Sequence, residues 1–228
     1  MSDRKPTEIS ILDIDAEELG RQLSRPTGEM GVVVSNQMNL SNATIYELMF
    51  GLLSIESRSN ILEIGIGNGK YLKEYFNKNK DIRLSCVDLS ETMVKIAKET
   101  NMNLIKENLV RIICQDSRSL PFENEKFDSV ICINTIYFWE NLTEQLKELH
   151  RVLKPGGRLY IGFRPKSIME NQEFTAEKFR LYEPSDVEKY LQNASFKINR
   201  VEQNEIDRIS IEGKPLKAID ICVVSEKL

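Results

Sequence analysis

The stretch Asn60-Ile61-Leu62-Glu63-Ile64-Gly65-Ile66-Gly67-Asn68-Gly69-Lys70 decides how the rest of the chain is read. A short apolar run ends in three alternate glycines, and a helical pattern over 70–79 follows. Such a run is a strand that turns sharply into a helix. Glycine permits the turn and lets a ligand approach the backbone closely. The free amides at the helix start suit a carboxylate or a phosphate. The same residues also suit a plain strand-to-helix turn, so the loop needs support from elsewhere.

Working outward, apolar runs over 82–88, 109–114, 127–133 and 158–163 read as further strands. Helical patterns separate several of them: one capped by Ser90 over 91–102, and one over 141–153 stopped by Pro155-Gly156-Gly157. The central strands are apolar on both faces, as in a parallel sheet covered on both sides by helices. A helix over 184–193, capped by Ser185 or Asp186, precedes two late strands over 195–203 and 218–225. A turn near Gly213 and Pro215 would make these an antiparallel edge. The expected fold is therefore α/β, a doubly wound, Rossmann-like and mostly parallel sheet.

Before this unit lies an expected N-terminal helical extension, residues 1–55. It holds a loose arm over 1–12, a helix over 13–23 closed by Pro26, a mixed stretch over 27–39, and a helix from Ser41 or Asn42 to Leu53. The segment 162–183 is long and polar and reads as a lid or a loop.

Composition narrows the partners. The net charge of −4 gives no overall attraction to nucleic-acid backbones or anionic membranes. No run approaches the ~20 apolar residues of a membrane span, and the polar start is not a signal peptide. The four cysteines, Cys86, Cys114, Cys132 and Cys222, lie in separate strand-like runs without a CxxC pair. They read as buried free thiols in a reducing cytoplasm, with no metal site.

Asp88 ends the second strand, about 20 residues beyond the glycine loop. In a doubly wound sheet that tip faces the ligand crevice and can bond two ribose hydroxyls. It could also cap the helix that begins near Glu91, although Ser90 already suits that place. Loop and aspartate together indicate an adenosine ligand, either a nicotinamide dinucleotide or S-adenosylmethionine. Two features separate the two. The spacing Gly65-x-Gly67-x-Gly69 is shorter than the GxGxxG of dinucleotide sites. Cys114-Gln115-Asp116-Ser117 then places an acid at the third strand end, where it can accept from an adenine amine.

With the run Arg151 to Leu159, these segments resemble the class I S-adenosylmethionine-dependent methyltransferases, in the branch of ubiquinone and menaquinone biosynthesis. The carrying residues are Ile61–Lys70, Val87-Asp88, Gln115-Asp116-Ser117, Phe127-Asp128 and Arg151–Leu159, within a resemblance that spans residues 38–164. The resemblance implies a seven-stranded sheet and the cofactor S-adenosyl-L-methionine. It implies that Gly65, Gly67 and Gly69 hold the methionyl part, that Asp88 and Leu89 meet the ribose end, and that Asp116 and Ser117 approach the adenine. Glu63 would place the amino group through water or backbone, Asn134 would sit near the sulfonium, and Met38 would cover the cofactor from the N-terminal extension. Residues 56–228 would form the methyltransferase domain.

Asn134-Thr135-Ile136-Tyr137-Phe138-Trp139 follows the fourth strand. Tyr137 is expected on the substrate side as the catalytic candidate, and Trp139 suits either substrate stacking or packing. The string lacks the prolines of the Asn-Pro-Pro-Tyr motif, so methylation of nucleic acids is not carried over. His150, the one histidine, falls within a helix and reads as structural. Arg164 and Lys166 read as solvated charge more readily than as ligands for an acidic substrate, and 170–177 as a solvated acidic helix face. The expected activity is methyl transfer to a small molecule by in-line displacement. The rivals are a nicotinamide oxidoreductase and a non-catalytic module that binds S-adenosylmethionine.

Overall fold

The computed structural model describes residues 11, 14–176, 178–209 and 215–228. Seven strands form one sheet: β1 (Ser59–Ile64), β2 (Ile82–Asp88), β3 (Val110–Cys114), β4 (Phe127–Ile133), β5 (Leu153–Phe163), β6 (Phe196–Ile209) and β7 (Pro215–Lys227). Their order is β3-β2-β1-β4-β5-β7-β6. β1 pairs in parallel with β2 on one side and β4 on the other. The chain therefore reverses its direction of growth at β1, which leaves a crevice at the carboxyl ends of these strands. β7 runs antiparallel between β5 and β6, which supplies the antiparallel pairing expected at this edge.

Alternation along each strand builds two cores. Leu62 and Ile64 of β1, Val130 of β4 and Ile161 of β5 face helices α7 (Leu142–Val152) and α9 (Pro184–Asn193). Ile61, Ile131 and Tyr160 face the opposite side. There α3 (Ala43–Leu52), α4 (Leu72–Lys78) and α5 (Glu91–Thr100) cover them. Helix ends follow their sequence signals. Asn141 Oδ1 accepts from the Glu144 amide at the start of α7, at 3.2 Å, and Ser90 Oγ accepts from the Met93 amide at the start of α5, at 3.1 Å. At α9 the cap is Glu183 in a reciprocal box with Asp186, ahead of the Ser185 or Asp186 expected.

Several expectations need correction. Residues 27–39 are not mixed: α2 (Gly28–Ser41) follows α1 (Ala16–Ser24). Its Val32-Val33-Val34 run and two glycines lower intrinsic helix propensity, and tertiary packing overrides that. A short helix α6 (Met102–Lys106) extends the turn after α5. Cys114 is exposed, because β3 is the edge strand; Cys86, Cys132 and Cys222 are buried. Described residues 170–176 form no acidic helix face. A short helix α8 (Lys166–Met169) and a 3-10 turn over Glu173–Thr175 stand there. The turn expected near Gly213 and most of the N-terminal arm lie outside the described residues.

The late strands are longer than their apolar patterns. β7 pairs with β5 only through Ile221–Glu226, while Pro215–Asp220 pair with β6 alone. The hairpin thus projects past Phe163 and overhangs the strand ends where the crevice opens. Among the described residues, no helix is long and apolar enough to cross a membrane.

Ile161 lies on the central strand β5 with no exposed surface. Ile161→Ala leaves a cavity between the sheet and the α7–α9 layer. Large-to-small changes of this kind cost about 2–5 kcal/mol, and urea unfolding should show a loss in that range.

Candidate active site

The glycine loop turns above β1. Gly65, Gly67 and Gly69 have φ of 75°, 55° and 73°, in the left-handed region that favours glycine. At Gly65 a Cβ atom would also lie 2.0 Å from Thr135 Cγ2, so the loop and the end of β4 close on each other only without a side chain. The Gly67 amide, expected free, instead donates to Asp88 Oδ2 at 2.8 Å. The Ser90 amide donates to Asp88 Oδ1 at 2.8 Å. Ser90 caps α5, so Asp88 is not that helix's cap: it ties the loop to the tip of β2. Burial lifts its carboxyl to about 6, against the opposing hydrogen bonds from Ser90 and Gly67. Each oxygen retains acceptor capacity after one bond. The Ile66 and Asn68 amides make no hydrogen bond with a described residue. Leu89, next to Asp88, is 43% exposed, an apolar surface left open at the crevice.

Glu63 does not reach the crevice. Strand alternation turns it to the face of α3 and α4, where it is buried and its Oε1 accepts from Tyr46 Oη at 2.8 Å. Burial raises its carboxyl to about 7, against the Tyr46 and Tyr75 hydroxyls that lower it. Tyr46 does line the crevice and stacks on Tyr71, with ring centroids 3.9 Å apart. The acid therefore supports the crevice through Tyr46.

Asp116 and Ser117 line the crevice at the end of β3. Asp116 is engaged by Arg118: Oδ2 accepts from Nε and Nη2 at 3.0 and 2.7 Å, and Oδ1 from the backbone amide at 2.9 Å. This pairing holds its carboxyl below the usual range and leaves acceptor capacity on Oδ1. The Ser117 hydroxyl lies 3.2 Å from Gln145 Oε1, and the Gln145 amide donates back to the Ser117 carbonyl at 2.8 Å.

Asn134, at the end of β4, has φ of 53° and donates from Nδ2 to Asn42 Oδ1 at 3.0 Å. Tyr137, the expected catalytic residue, lines the crevice with little of its surface open. It is 2% exposed, and its hydroxyl lies between Asn134 Oδ1 at 3.1 Å and the Arg164 backbone amide, which donates to it at 2.5 Å. That hydroxyl braces Asn134 against the end of β5. Arg164 is no solvated charge either. Its Nε pairs with Asp220 at 3.0 Å and its Nη2 donates to the Ser41 carbonyl at 2.7 Å. Lys166 is exposed and lies 3.9 Å from Glu170. His150 packs edge-on against Phe196, away from the crevice, and Trp139 is 7% exposed within the core.

Two further elements roof the site. α1 and α2 place Leu19, Leu23, Ser35 and Met38 over the strand ends. From the other side the 166–182 loop closes on itself where the Lys166 amide donates to the Tyr182 carbonyl at 2.8 Å. The roofs meet at Gly20, where a Cβ would stand 2.6 Å from the Phe174 carbonyl oxygen. The cleft beneath them measures about 1270 Å³. It reaches from the glycine loop to Ile206 and Ala218 of the overhanging hairpin. The hairpin's overhang, the Arg164–Asp220 pair and the roof contact were missed in the sequence. Asp220 meets residues from distant segments, and no local pattern marks such a contact.

Comparison with known proteins decides the family. A methyltransferase domain model matches residues 62–161, from the first strand to the fifth. The uncharacterized methyltransferase YdaC of Bacillus subtilis (strain 168) is 30% identical over 138 residues, which cover 60% of this chain and 74% of YdaC. The chain belongs to the class I S-adenosylmethionine-dependent methyltransferases. A malonyl-[acyl-carrier protein] O-methyltransferase of Marinomonas sp. (strain MWYL1) is 25% identical over 201 residues, 87% of this methyltransferase and 71% of that protein. An S-adenosylmethionine-dependent methyltransferase structure from Aquifex aeolicus superposes with a TM-score of 0.64 at 19% identity, covering 94% of this chain and 100% of that one. The methyltransferase uses S-adenosyl-L-methionine as cofactor, and the crevice fits it. Unused amides at the loop suit a carboxylate, the Asp88 oxygens suit hydroxyls, and exposed Leu89 suits a flat base.

The Glu63 carboxyl makes stability depend on pH. Folded, it holds its proton up to about pH 7; unfolded, it releases it near 4.5. The folded state binds more protons in between, so this contribution is whole below pH 4.5 and is lost as pH rises through 7. Without ligand, Glu63→Gln should remove a pH-dependent loss on the order of 3 kcal/mol between pH 4.5 and 8. Asp88 contributes with the same sign and remains in the variant. Denaturant unfolding of both proteins across that range measures the difference. Tyr137→Phe leaves the Arg164 amide without its acceptor. It should cost about 1–3 kcal/mol of stability with little change in S-adenosylhomocysteine affinity, read by urea unfolding and calorimetry.

Proposed function

We propose that this methyltransferase transfers its methyl group to a small-molecule acceptor, and that the residues at the strand ends bind the cofactor. The observation that carries the reading is the roofed cleft of about 1270 Å³ over the glycine loop and Asp88. Single small-ligand pockets run to about 1,000 Å³, so cofactor and a small acceptor fit together. The roof disfavours a polynucleotide, as does the net charge of −4.

In this reading Asp88 accepts from both ribose hydroxyls. The loop Gly65–Gly69, with the Ile66 and Asn68 amides, holds the methionyl carboxylate. Leu89 lies against the adenine, while Asp116 Oδ1 and Ser117 meet its edge. Met38 covers the cofactor as part of the 1–55 extension, Glu63 acts through Tyr46, and Asn134 stands at the reacting end. When bound, the cofactor supplies a methyl group already activated on a sulfonium. The chain's own contribution is positioning and exclusion of water. Tyr137 is a positioning residue that orients Asn134. Neither its engaged hydroxyl nor distant His150 is placed to take a proton from the acceptor.

Calorimetry tests the assignment. The protein should bind S-adenosylhomocysteine and neither NAD nor NADP. Hydrogen bonds to a charged group contribute about 1.5–3 kcal/mol, so Asp88→Ala should weaken S-adenosylhomocysteine by roughly 10- to 100-fold. Unaltered affinity in a destabilised variant would reduce Asp88 to its loop-tying role and overturn this site.

A further inference from the structure

α1 is amphipathic, yet its apolar face is not sealed in a core. Leu19 and Leu23 lie one turn apart on that face, line the cleft and are only half-buried. They stand in neither of the two core clusters. The opposite wall repeats the pattern. Ile168 of α8 is half-buried and lines the cleft. Phe138, Phe174 and Phe179 also line it and meet edge-on, the Phe179 ring centroid 4.8 Å from that of Phe138 and 5.6 Å from that of Phe174, with Phe138 and Phe179 anchored on the core beneath. The two elements touch at Gly20 and Phe174, and apolar side chains of both line the cleft beside that contact. Leaving apolar surface wet is unfavourable in proportion to its area, and contiguous open apolar surface of this kind marks a ligand site.

The charges of this half point the same way. Its half-buried cation, Arg164, is neutralised by Asp220, whose side chain is wholly buried. Glu173 and Asp207 are exposed, at the rim. No described buried charge between the walls remains uncompensated. Polar residues line the strand ends around Asp88, Asp116 and Asn134, and the walls also carry the uncharged Gln22 and Ser24 of α1 and Asn171 and Gln172 of the loop.

We infer that the acceptor has an uncharged, mainly apolar body, clamped between the Leu19–Leu23 face of α1 and the Ile168–phenylalanine wall. Its reacting group points down toward Asn134. This rests on the small-molecule reading above and adds the chemical class of the acceptor. α1 and the 166–182 loop are then specificity elements: they select by apolar contact, while the strand ends below serve any acceptor alike.

Calorimetry with 2-naphthol, a flat and mainly apolar phenol, tests the inference on protein saturated with S-adenosylhomocysteine. Saturable binding with a negative heat-capacity change is expected; D-glucose under the same conditions should not bind. Leu23→Asp and Ile168→Asp, one on each wall, should each weaken 2-naphthol by about tenfold or more. Their S-adenosylhomocysteine affinity should stay within about threefold of the parent, a shift under 1.4 kcal/mol, which also shows that each variant folds. Absence of 2-naphthol binding, equal binding of glucose, or indifference to both substitutions overturns the apolar acceptor while the cofactor site stands. Failure of S-adenosylhomocysteine to bind the parent protein overturns the cofactor site itself.

Discussion

One carboxylate joins the parts on which the site depends. Asp88 takes the Gly67 amide with one oxygen and the Ser90 amide with the other, at 2.8 Å each. The glycine loop leaves β1 and the α5 turn leaves β2, so these two bonds fix both turns at the switch point of the sheet. Amides bonded to a charged acceptor are held more firmly than neutral pairs. Burial disfavours that charge and lifts the carboxyl to about 6. Asp88 is therefore charged near neutrality because the surrounding amides partly offset its desolvation.

Around this centre, buried polar contacts carry the sheet's geometry outward. Glu63 to Tyr46 couples β1 to α3. The Tyr137 hydroxyl couples the turn after β4 to the end of β5. The Arg164–Asp220 pair couples β5 to β7, and Thr44 of α3 donates to the same aspartate at 2.5 Å. A buried ion pair is weak evidence of stability in itself, since desolvation opposes the attraction. Here it specifies position. It sets where the β6–β7 hairpin overhangs the crevice and where α2 ends, through the Ser41 carbonyl. Floor and roof of the crevice are thereby separate constructions: strand ends and short turns below, α1 and the 166–182 loop above.

Much of the fold was legible because its signals are local. The β1 strand, the alternate glycines, Asp88 at the strand tip and Ser90 as a cap each follow from spacing that one turn or one strand dictates. α2 was not legible, since valines and glycines give a weak helical signal that only packing overrules. The length of the β6–β7 hairpin was not legible either. Beyond residue 203 its outer residues are mostly polar, and the alternation that marks a half-buried strand fades.

The sequence by itself determined the class of fold and the family, because strand alternation and glycine spacing bind chemistry to position over a few residues. The tertiary structure alone decided what each polar group does there. It turned Glu63 away from the crevice, since side chains alternate across a strand and its neighbours Leu62 and Ile64 face the other core. It engaged the Tyr137 hydroxyl with Arg164, 27 residues on, and paired Arg164 with Asp220, a further 56 residues on. It also brought α1 against the 166–182 loop, where Gly20 admits the Phe174 carbonyl. Contacts between residues so far apart depend on how whole layers pack, and no short pattern in the chain encodes them.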